Sequence, residues 1–546
     1  MNKKIISILL LMMYLSSLIF AQTKGNNTNL FSEEKLKSTI KFLADDGFEG
    51  RAPGSRGGEL AAKYIANQLE MIGIKPGNND SYFQPVSLVA VKANPNTTLN
   101  IGDASYKFGD DFVAFTGAQT ENVKLDAELV FVGYGIDAPE QKWNDYKGNA
   151  ADYRGKILVM MVNDPPATAA EPNLFGAKAL TYYGRWTYKY EEAARRGAAG
   201  VILIHTTESA GYGWNVVRTS NGNWRFDIAR TATDKTPFLQ MRSWMTEDTA
   251  RKIFAQAGKN LDELREQAKS RNFQPVKLNL TAKVDLQSEL KRVNSNNVVG
   301  VWEGSDAKLK DEYVVYTAHW DHLGIGEPNK QGDTIYNGAL DNATGCASVL
   351  SIAEALTKLK ERPKRSSVFL FTTAEEQGLL GAEWYARFPI FAPEKTAANI
   401  NIDGGNLYGL TNDYGALGAE RSDIMPIVNA VLKERKMTFA TDAHPEQGSF
   451  FRSDHFPFAK IGVPAISVRN GEDYIGKPKD FAQKTFDEFN KLHYHQPSDE
   501  FRDEWRFDGL VQMVEVSLAI GLKVADVPKM PRYNKTDEFA KAQPNR

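Results

Sequence analysis

Apolar runs and amphipathic stretches alternate along the second half of the chain. The runs VVGVWEG, EYVVYTAH, SVFLFTTA and ANINID predict buried strands. The stretches ATGCASVLSIAEALTKLK and LLGAEWYARF, which lie between them, have the apolar spacing of helices. Buried strands that alternate with amphipathic helices indicate a mainly parallel sheet with helices on both faces. We therefore expect an α/β fold for this half.

Two helices and several short strands are predicted near the start of the chain. The segment FSEEKLKSTIKFLADD has Ser32 as its N-cap, and a second amphipathic helix after RAPGSRGG ends before Gly73 and Pro76. The sequence of residues 81–117 predicts short strands. We interpret GSRGG as a turn, because it lacks the spacing of a phosphate-binding loop.

The middle of the chain has a different pattern, with more predicted strands than helices. AELVFVGYGI, GKILVMMVND and VILIHT predict strands, and GRWTYKYEEAARRGAAG predicts one helix. This β-rich block extends to about Val284 and is long enough to form a small domain of its own.

Composition and charge exclude several classes of partner. The 546 residues carry a formal charge of −2, with 42% hydrophobic and 25% charged residues, so neither nucleic acid nor an anionic membrane is expected as a partner. Lys3 and Lys4 precede an apolar stretch that ends near Ala21, which predicts a signal peptide at residues 1–21 and a secreted or periplasmic protein without a stable membrane span. The single cysteine, Cys346, excludes an intrachain disulfide and is interpreted as a packing residue.

Polar side chains recur where predicted strands end. The set comprises His319 and Asp321, then Asp341 before a helix, then Glu375 and Glu376, then Asp403, and later His493 and His495. In open α/β sheets the ligand crevice lies beyond the carboxyl ends of the strands, so these groups should converge. Converging carboxylates require a cation, and histidine with carboxylate ligands suits zinc. The number of carboxylates indicates two ions with one bridging aspartate.

Five motifs carry a resemblance to a known family. TAHWDHLG, GALDNATG, TTAEEQGLLGA, NIDGGN and YHQPSD resemble the co-catalytic dizinc aminopeptidases, metallopeptidase family 28, which also contain glutamate carboxypeptidase and the glutaminyl cyclases. The likeness covers residues 31–117 and 295–527, and the motifs occur in the family's order. It implies the zinc-exopeptidase fold, similar to phosphorylase/hydrolase-like proteins.

The resemblance also implies a role for each matching residue. It assigns His319, Asp341 and Asp403 to one zinc ion. It assigns Asp341, Glu376 and His495 to the other, with Asp341 bridging and His495 preferred over His493. Glu375 matches the general base, and Asp321 matches the acid that orients the imidazole of His319. A cis peptide is expected between Asp341 and Asn342.

The β-rich block resembles a protease-associated domain through GYGI, DYRGKILVM and EEAARRGAAGVILIH. We therefore expect a signal peptide at 1–21, peptidase segments at 22–118 and 291–528, an inserted protease-associated domain at 119–290, and a flexible tail at 529–546. His205 in the insert is interpreted as structural. His322 and His444 are expected at the surface or behind the ligands, and Asp454 with His455 is expected either to contact substrate or to shape a loop.

The implied reaction is hydrolysis of the N-terminal peptide bond of peptides or proteins by a metal-bridging water, with Glu375 as general base. A carboxypeptidase or dipeptidase on the same scaffold, a glutaminyl cyclase, and a binding protein without metals are the alternatives.

Overall fold

The computed structural model describes residues 30–210, 213–222, 224–232 and 234–545, so the predicted signal peptide lies outside the described residues. In chain order the helices are α1 (Glu33–Leu43), α2 (Arg56–Met71), α3 (Trp186–Arg195), α4 (Thr207–Ala210), α5 (Trp214–Gly222), α6 (Glu247–Gln256), α7 (Leu261–Ala268), α8 (Thr344–Lys358), α9 (Leu380–Arg387), α10 (Ile424–Glu434), α11 (His455–Lys460), α12 (Phe481–Leu492) and α13 (Phe507–Asp526). None of these helices combines the length and the apolar character needed to cross a bilayer.

The strands follow the same numbering. They are β1 (Lys75–Pro76), β2 (Phe83–Ala93), β3 (Thr98–Ile101), β4 (Ala104–Tyr106), β5 (Phe112–Thr116), β6 (Asn122–Phe131), β7 (Asp137–Ala138), β8 (Trp143–Asn144), β9 (Ile157–Met161), β10 (Gly200–His205), β11 (Arg225–Ile228), β12 (Met241–Thr246), β13 (Val276–Trp302), β14 (Tyr313–His319), β15 (Gly324–Ile325), β16 (Ile335–Tyr336), β17 (Ser366–Thr372), β18 (Thr396–Ile402), β19 (Asp413–Leu417), β20 (Thr438–Ala440) and β21 (Ala465–Arg469).

A mainly parallel block forms the centre of the main sheet, as the apolar runs predicted. The strands β17, β14, β18 and β21 are neighbours in that order, and each adjacent pair is parallel. Antiparallel strands extend the block on both sides, with β13 beside β17 and β19 beside β21. The α/β fold class is therefore confirmed.

Helices cover both faces of the main sheet because successive strand residues point to opposite sides. Val314, Tyr316 and Ala318 of β14 lie in a core with helices α1, α2, α8 and α13. Val315, from the same strand, packs on the other face in a smaller core with α9 and α11. Strands buried on both faces show continuous apolar runs, which is why they could be recognised in the sequence.

A second sheet lies in the middle of the chain. Its parallel strands β6, β9, β10 and β12 are neighbours in that order, with β5 antiparallel to β12 and β3 and β4 at the other end. Strands β3 to β5 precede residue 119 and pair with this sheet. The structure also places α6 and α7 here, although the sequence predicted one helix. Their N-caps, Thr246 and Asn260, were readable signals.

The long strand β13 belongs to both sheets. Its first half pairs with β6 and β3, and its second half pairs with β2 and β17. A further junction forms where Lys460 of α11 contacts Glu191 of α3 at 2.9 Å and Glu383 of α9 at 3.1 Å. The two sheets therefore share one strand, and a half-buried ion-pair cluster joins the helices that pack on them.

The C-terminal segment differs from the flexible tail that was expected. Tyr533 and Phe539 are buried in an aromatic cluster with Phe450 and Phe456, and Tyr182 from the middle block packs against it. Arg421 contacts the carboxylate of Asp537 at 3.0 Å. A few aromatic side chains in a polar, Pro- and Lys-rich stretch are enough to fix the segment, because each buries a large apolar area.

Candidate metal centre

The donors that the sequence placed at strand ends do lie at one edge of the main sheet. His319 is the last residue of β14, Glu375 and Glu376 follow β17, and Asp403 follows β18 directly. The three strands are parallel and in register, with Thr317 opposite both Leu370 and Asn401. Their carboxyl ends therefore coincide and bring the four side chains to the same place.

Asp341 and His495 reach this edge from two loops. Asp341 lies in the turn Ala339–Ala343, which runs directly into α8. The peptide bond between Asp341 and Asn342 is cis, as the family resemblance implies. His495 lies in the loop that follows α12 and has a positive φ of 57°.

Asp341 lies between two groups of donors. Its Oδ1 atom is 3.2 Å from His319 Nε2, and its Oδ2 atom is 3.3 Å from His495 Nε2. His319 Nε2 is also 3.2 Å from Asp403 Oδ1, and His495 Nε2 is 3.0 Å from Glu376 Oε2. The two oxygens of one carboxylate thus serve two histidine–carboxylate pairs.

The spacing of these donors fits metal coordination. Two donors that each lie about 2.0–2.1 Å from a tetrahedral zinc ion are roughly 3.3 Å apart. The four distances around Asp341 lie close to that value. His319, Asp341, Glu375, Glu376 and Asp403 also supply two clusters of three donor atoms within 4.8 Å of one another. Imidazole nitrogen and carboxylate oxygen are ligands that zinc accepts, so the residues present fit the ion that the sequence predicted.

The pKa values of Glu375 and Glu376 are shifted in opposite directions by their surroundings. Burial raises the pKa of Glu375 well above its ordinary value, and the nearby carboxylates Asp403 and Glu376 act in the same direction. Burial also disfavours ionised Glu376, but the histidines His322 and His495 lower its pKa to about 2. The two adjacent carboxyl groups thus have different electrostatic surroundings.

The carboxylate of Asp321 was expected to orient the imidazole of His319, but it has a different partner. His319 Nδ1 lies 3.1 Å from the main-chain oxygen of Asp321 and 3.8 Å from its carboxylate. The carboxylate instead accepts a hydrogen bond from the main-chain N–H of Glu375 at 3.1 Å. Burial raises the pKa of Asp321 to about 7. Asp321 thus links the loop that carries His319 to the loop that carries Glu375.

Three further residues, to which sequence reasoning assigned no supporting role, hold the donors. Asp499 accepts hydrogen bonds from the main-chain N–H groups of Leu340 and Asp341, at 3.0 and 3.1 Å. Asn342 accepts from Gly404 N–H at 2.9 Å and so ties the Asp341 turn to the loop after β18. Ser453 donates to Asp403 Oδ2 at 2.6 Å. Asp499 was visible as the last residue of YHQPSD, whereas Ser453 carried no signal.

Arg51 lies beneath the site and is buried. Its guanidinium donates to the carbonyl oxygens of Trp320, Asn337 and Gly338, at distances of 2.8, 2.5 and 2.9 Å. A fourth hydrogen bond, of 2.7 Å, goes to Leu43. These carbonyls belong to the loop after His319, to the segment before Asp341 and to the end of α1. Since the partners lie up to 287 residues away, the sequence offered no signal for this role.

The remaining histidines take different positions. His493 Nδ1 contacts the hydroxyl group of Ser498 at 3.0 Å. His205 packs against Trp214 and Trp244, and His444 is partly exposed beside Glu446. His322 is fully buried, with Nδ1 2.6 Å from Glu376 Oε1.

Asp454 and His455 are also fully buried. Thr372 donates a hydrogen bond to the carboxylate of Asp454, and the ring of His455 packs edge-on against Phe450. The sequence predicted either a substrate contact or a role in loop structure for this pair, and their full burial favours the role in loop structure.

Comparisons with known proteins agree with this geometry. The profile of Peptidase family M28 matches residues 297–519, which contain all the donors described above. The predicted resemblance to the metallopeptidase family is therefore confirmed over residues 297–519.

Individual relatives cover smaller parts of the chain. Aminopeptidase NAALADL1 of Rattus norvegicus is 36% identical over 126 residues, which is 22% of this chain and 15% of that protein. Leupeptin-inactivating enzyme 1 of Streptomyces exfoliatus is 26% identical over 33% of this chain and 36% of its own length. The matched part thus spans well under two thirds of these relatives.

Two solved structures are similar over most of their length. The aminopeptidase from Aneurinibacillus sp. strain AM-1 covers 92% of this chain and 95% of its own, with 19% identity and a TM-score of 0.47. BSAP, a zinc aminopeptidase from Bacillus subtilis, covers 90% of this chain and 95% of its own, with 17% identity and a TM-score of 0.41.

Replacing Arg51 with methionine should destabilise the protein by about 3 kcal/mol or more, because buried carbonyl oxygens lose their donors. Urea unfolding in the presence of a chelator measures the loss. Arg56→Met is the matched control, since the Arg56 side chain is 72% exposed, and it should change stability by less than about 0.5 kcal/mol. Equal effects of the two substitutions would contradict a framework role for Arg51.

Proposed function

We propose that this protein is a secreted or periplasmic dizinc aminopeptidase. The observation that carries the proposal is Asp341, whose two carboxylate oxygens face two separate histidine–carboxylate pairs at 3.2 and 3.3 Å. One bridging carboxylate between two sets of ligands is the arrangement expected for a pair of ions. A match to Peptidase family M28 over the same residues supports it.

His319, Asp341 and Asp403 would hold one zinc ion, and Asp341, Glu376 and His495 would hold the other. Bound zinc supplies a Lewis acid for the scissile carbonyl and lowers the pKa of water. The chain itself fixes the ligands. Asp321, Asn342, Asp499 and Ser453 each tie a ligand-bearing loop to its neighbour.

Glu375 is the proposed general base. Its Oε2 atom lies 4.0 Å from His319 Nε2, farther than the atoms assigned as ligands. Its carboxylate is not among the assigned ligands, so it can take a proton from water and later give it to the leaving amine. Asp321 holds the main chain at Glu375 and thereby sets the direction of this side chain.

The aminopeptidase is placed ahead of a carboxypeptidase or dipeptidase on the same scaffold because of the relatives that the chain resembles. Aminopeptidase NAALADL1 of Rattus norvegicus, 36% identical over 126 residues, supports this choice.

The middle block is proposed to be an inserted protease-associated domain. Pairing of β3 to β5 with the second sheet supports an insert that begins near residue 98, earlier than residue 119. The long strand β13 would return the chain to the peptidase sheet near residue 290. The proposed export rests on the sequence pattern of residues 1–21.

Zinc content and peptidase activity test the proposed function together. The purified mature protein should contain about two zinc ions, a count typical of co-catalytic pairs, and should hydrolyse some members of a panel of aminoacyl-anilides. Chelation should abolish hydrolysis, and added zinc should restore it. A protein that binds two zinc ions and hydrolyses free dipeptides but not C-terminally blocked substrates would be a dipeptidase. No bound metal and no hydrolysis would overturn the proposal.

Replacing Glu375 with glutamine should lower kcat about 10²–10⁴-fold while leaving zinc content unchanged, because the proton acceptor is lost and the ligands remain. Steady-state kinetics and elemental analysis measure the two effects. The adjacent Glu376→Gln is the matched control and should lose zinc as well as activity. If Glu375→Gln retained wild-type kcat, Glu375 would not be the base.

A further inference from the structure

A chain of buried hydrogen bonds runs through the main sheet to Asp403. Asn399 Nδ2 donates to Thr317 Oγ1 at 3.1 Å, and Thr317 Oγ1 donates to Asn401 Oδ1 at 2.6 Å. Asn401 Nδ2 donates to Ser453 Oγ at 2.6 Å, and Ser453 Oγ donates to Asp403 Oδ2 at 2.6 Å. The four residues that lead to Asp403 are each at most 1% exposed. Buried amide and hydroxyl groups cost free energy unless they are hydrogen-bonded, so each member of the chain depends on its neighbours.

The pairing of two parallel strands brings these side chains together. Asn399 and Asn401 are two residues apart in β18 and therefore point to the same face of the sheet. Thr317 of β14 lies opposite Asn401 in the register of the two strands. Ser453 lies just before α11, which packs on this face of the sheet. The polar side chains thus form a line from the interior of the sheet to the start of α11.

The carboxylate at the end of the chain fixes the direction of every hydrogen bond in it. A carboxylate that binds a metal ion is ionised and can only accept, so the single proton of Ser453 Oγ points to Asp403. Ser453 must then accept from the NH₂ group of Asn401, which turns the oxygen of that amide towards Thr317. Thr317 gives its one proton to this oxygen and accepts from the NH₂ group of Asn399. Turning either amide round would place two acceptors against each other.

The two oxygens of Asp403 have different neighbours. Oδ2 accepts from Ser453, whereas Oδ1 lies 3.2 Å from His319 Nε2, close to the roughly 3.3 Å between two ligands of one tetrahedral zinc ion. We propose that Asn401 and Thr317 are positioning residues, which hold the Ser453 hydroxyl group on Oδ2 and leave Oδ1 as the oxygen for the ion. This inference rests on the proposed dizinc site and names the residues that set how one of its ligands binds.

A purely structural role is the alternative for this chain of hydrogen bonds. The same contacts join β14, β18 and the segment before α11, so their loss would also lower the stability of the fold. The two roles differ in what they do to zinc. A positioning residue changes the affinity for the ion that its ligand holds, whereas a structural residue changes the stability of the metal-free protein alone.

Four substitutions separate these roles. Asn401→Leu removes the donor to Ser453, Thr317→Val removes the donor to Asn401 and keeps the shape, and Thr317→Ser keeps the hydroxyl group. Ser467→Ala is the matched control, because Ser467 is fully buried opposite Asn401 in β21 and takes no part in the chain of hydrogen bonds. The metal-free proteins are titrated with zinc against a competing chelator. Thermal unfolding without metal measures the stability of each variant separately.

Asn401→Leu should weaken one of the two zinc equivalents about 10–100-fold and leave the other unchanged, the size expected when the support of a metal ligand is lost. Thr317→Val should weaken the same equivalent, whereas Thr317→Ser should stay within a few-fold of wild type. Ser467→Ala should bind zinc as wild type does. Wild-type affinity in Asn401→Leu, or equal affinities in Thr317→Val and Thr317→Ser, would overturn the inference even if both substitutions lowered stability.

Wild-type protein in the same titration separates this inference from the proposed function. If wild type binds two zinc ions and neither Asn401→Leu nor Thr317→Val differs from it, the positioning role is wrong and the dizinc site stands. If wild type binds fewer than two, the dizinc site itself fails, and the positioning role fails with it. Should Asn401→Leu not fold, the comparison of Thr317→Val with Thr317→Ser decides.

Discussion

Mutual repulsion between buried carboxylates is the constraint on which the arrangement of the site depends. Asp341, Glu375, Glu376 and Asp403 meet at the carboxyl edge of three parallel strands, and all lie close to His319. Like charges brought together away from water raise the free energy of the folded state unless cations or hydrogen bonds offset them. His319 and His495 each lie between two of these carboxylates, which offsets part of the repulsion.

Hydrogen bonds between loops hold the carboxylates in place despite their mutual repulsion. Asp499 holds the turn before Asp341, Asn342 joins that turn to the loop after β18, and Asp321 joins the His319 loop to Glu375. Each of these contacts connects two donor-bearing segments, so no ligand depends on its own loop alone. Such outer partners orient ligands and tune their affinity for metal.

The site is also connected to the middle block through α11. Ser453, just before this helix, donates to Asp403, and Lys460 at its end contacts Glu191 in α3. Tyr182 from the same block packs against Phe456 of α11. One short helix therefore contacts both a candidate ligand and the middle block.

Much of the main sheet could be predicted because its strands are buried on both faces and show continuous apolar runs. The convergence of His319, Asp341, Glu376, Asp403 and His495 followed from their places at strand ends and from the motifs they form. Local patterns do not carry long-range contacts, which is why the four carbonyl partners of Arg51 were not foreseen.

Other misses have different physical causes. Strand β13 continues for 27 residues through both sheets. A single strand of this length was not predicted, because the apolar run VVGVWEG marks only its last part. The C-terminal segment has a polar composition, which predicts a flexible tail. Tyr533 and Phe539 hold it in place because they are buried, and composition does not show which residues become buried. Helices α6 and α7 carried N-cap signals that the prediction of a single helix overlooked.

Zinc titration of the metal-free Asp341→Asn variant tests most directly whether one carboxylate serves two ions. Loss of a bridging ligand should weaken both zinc equivalents, whereas Asp403→Asn should weaken only one, because Asp403 lies on the His319 side alone. Weakening of a single equivalent in Asp341→Asn, with the other at wild-type affinity, would contradict the bridging position of Asp341 and with it the two-ion site.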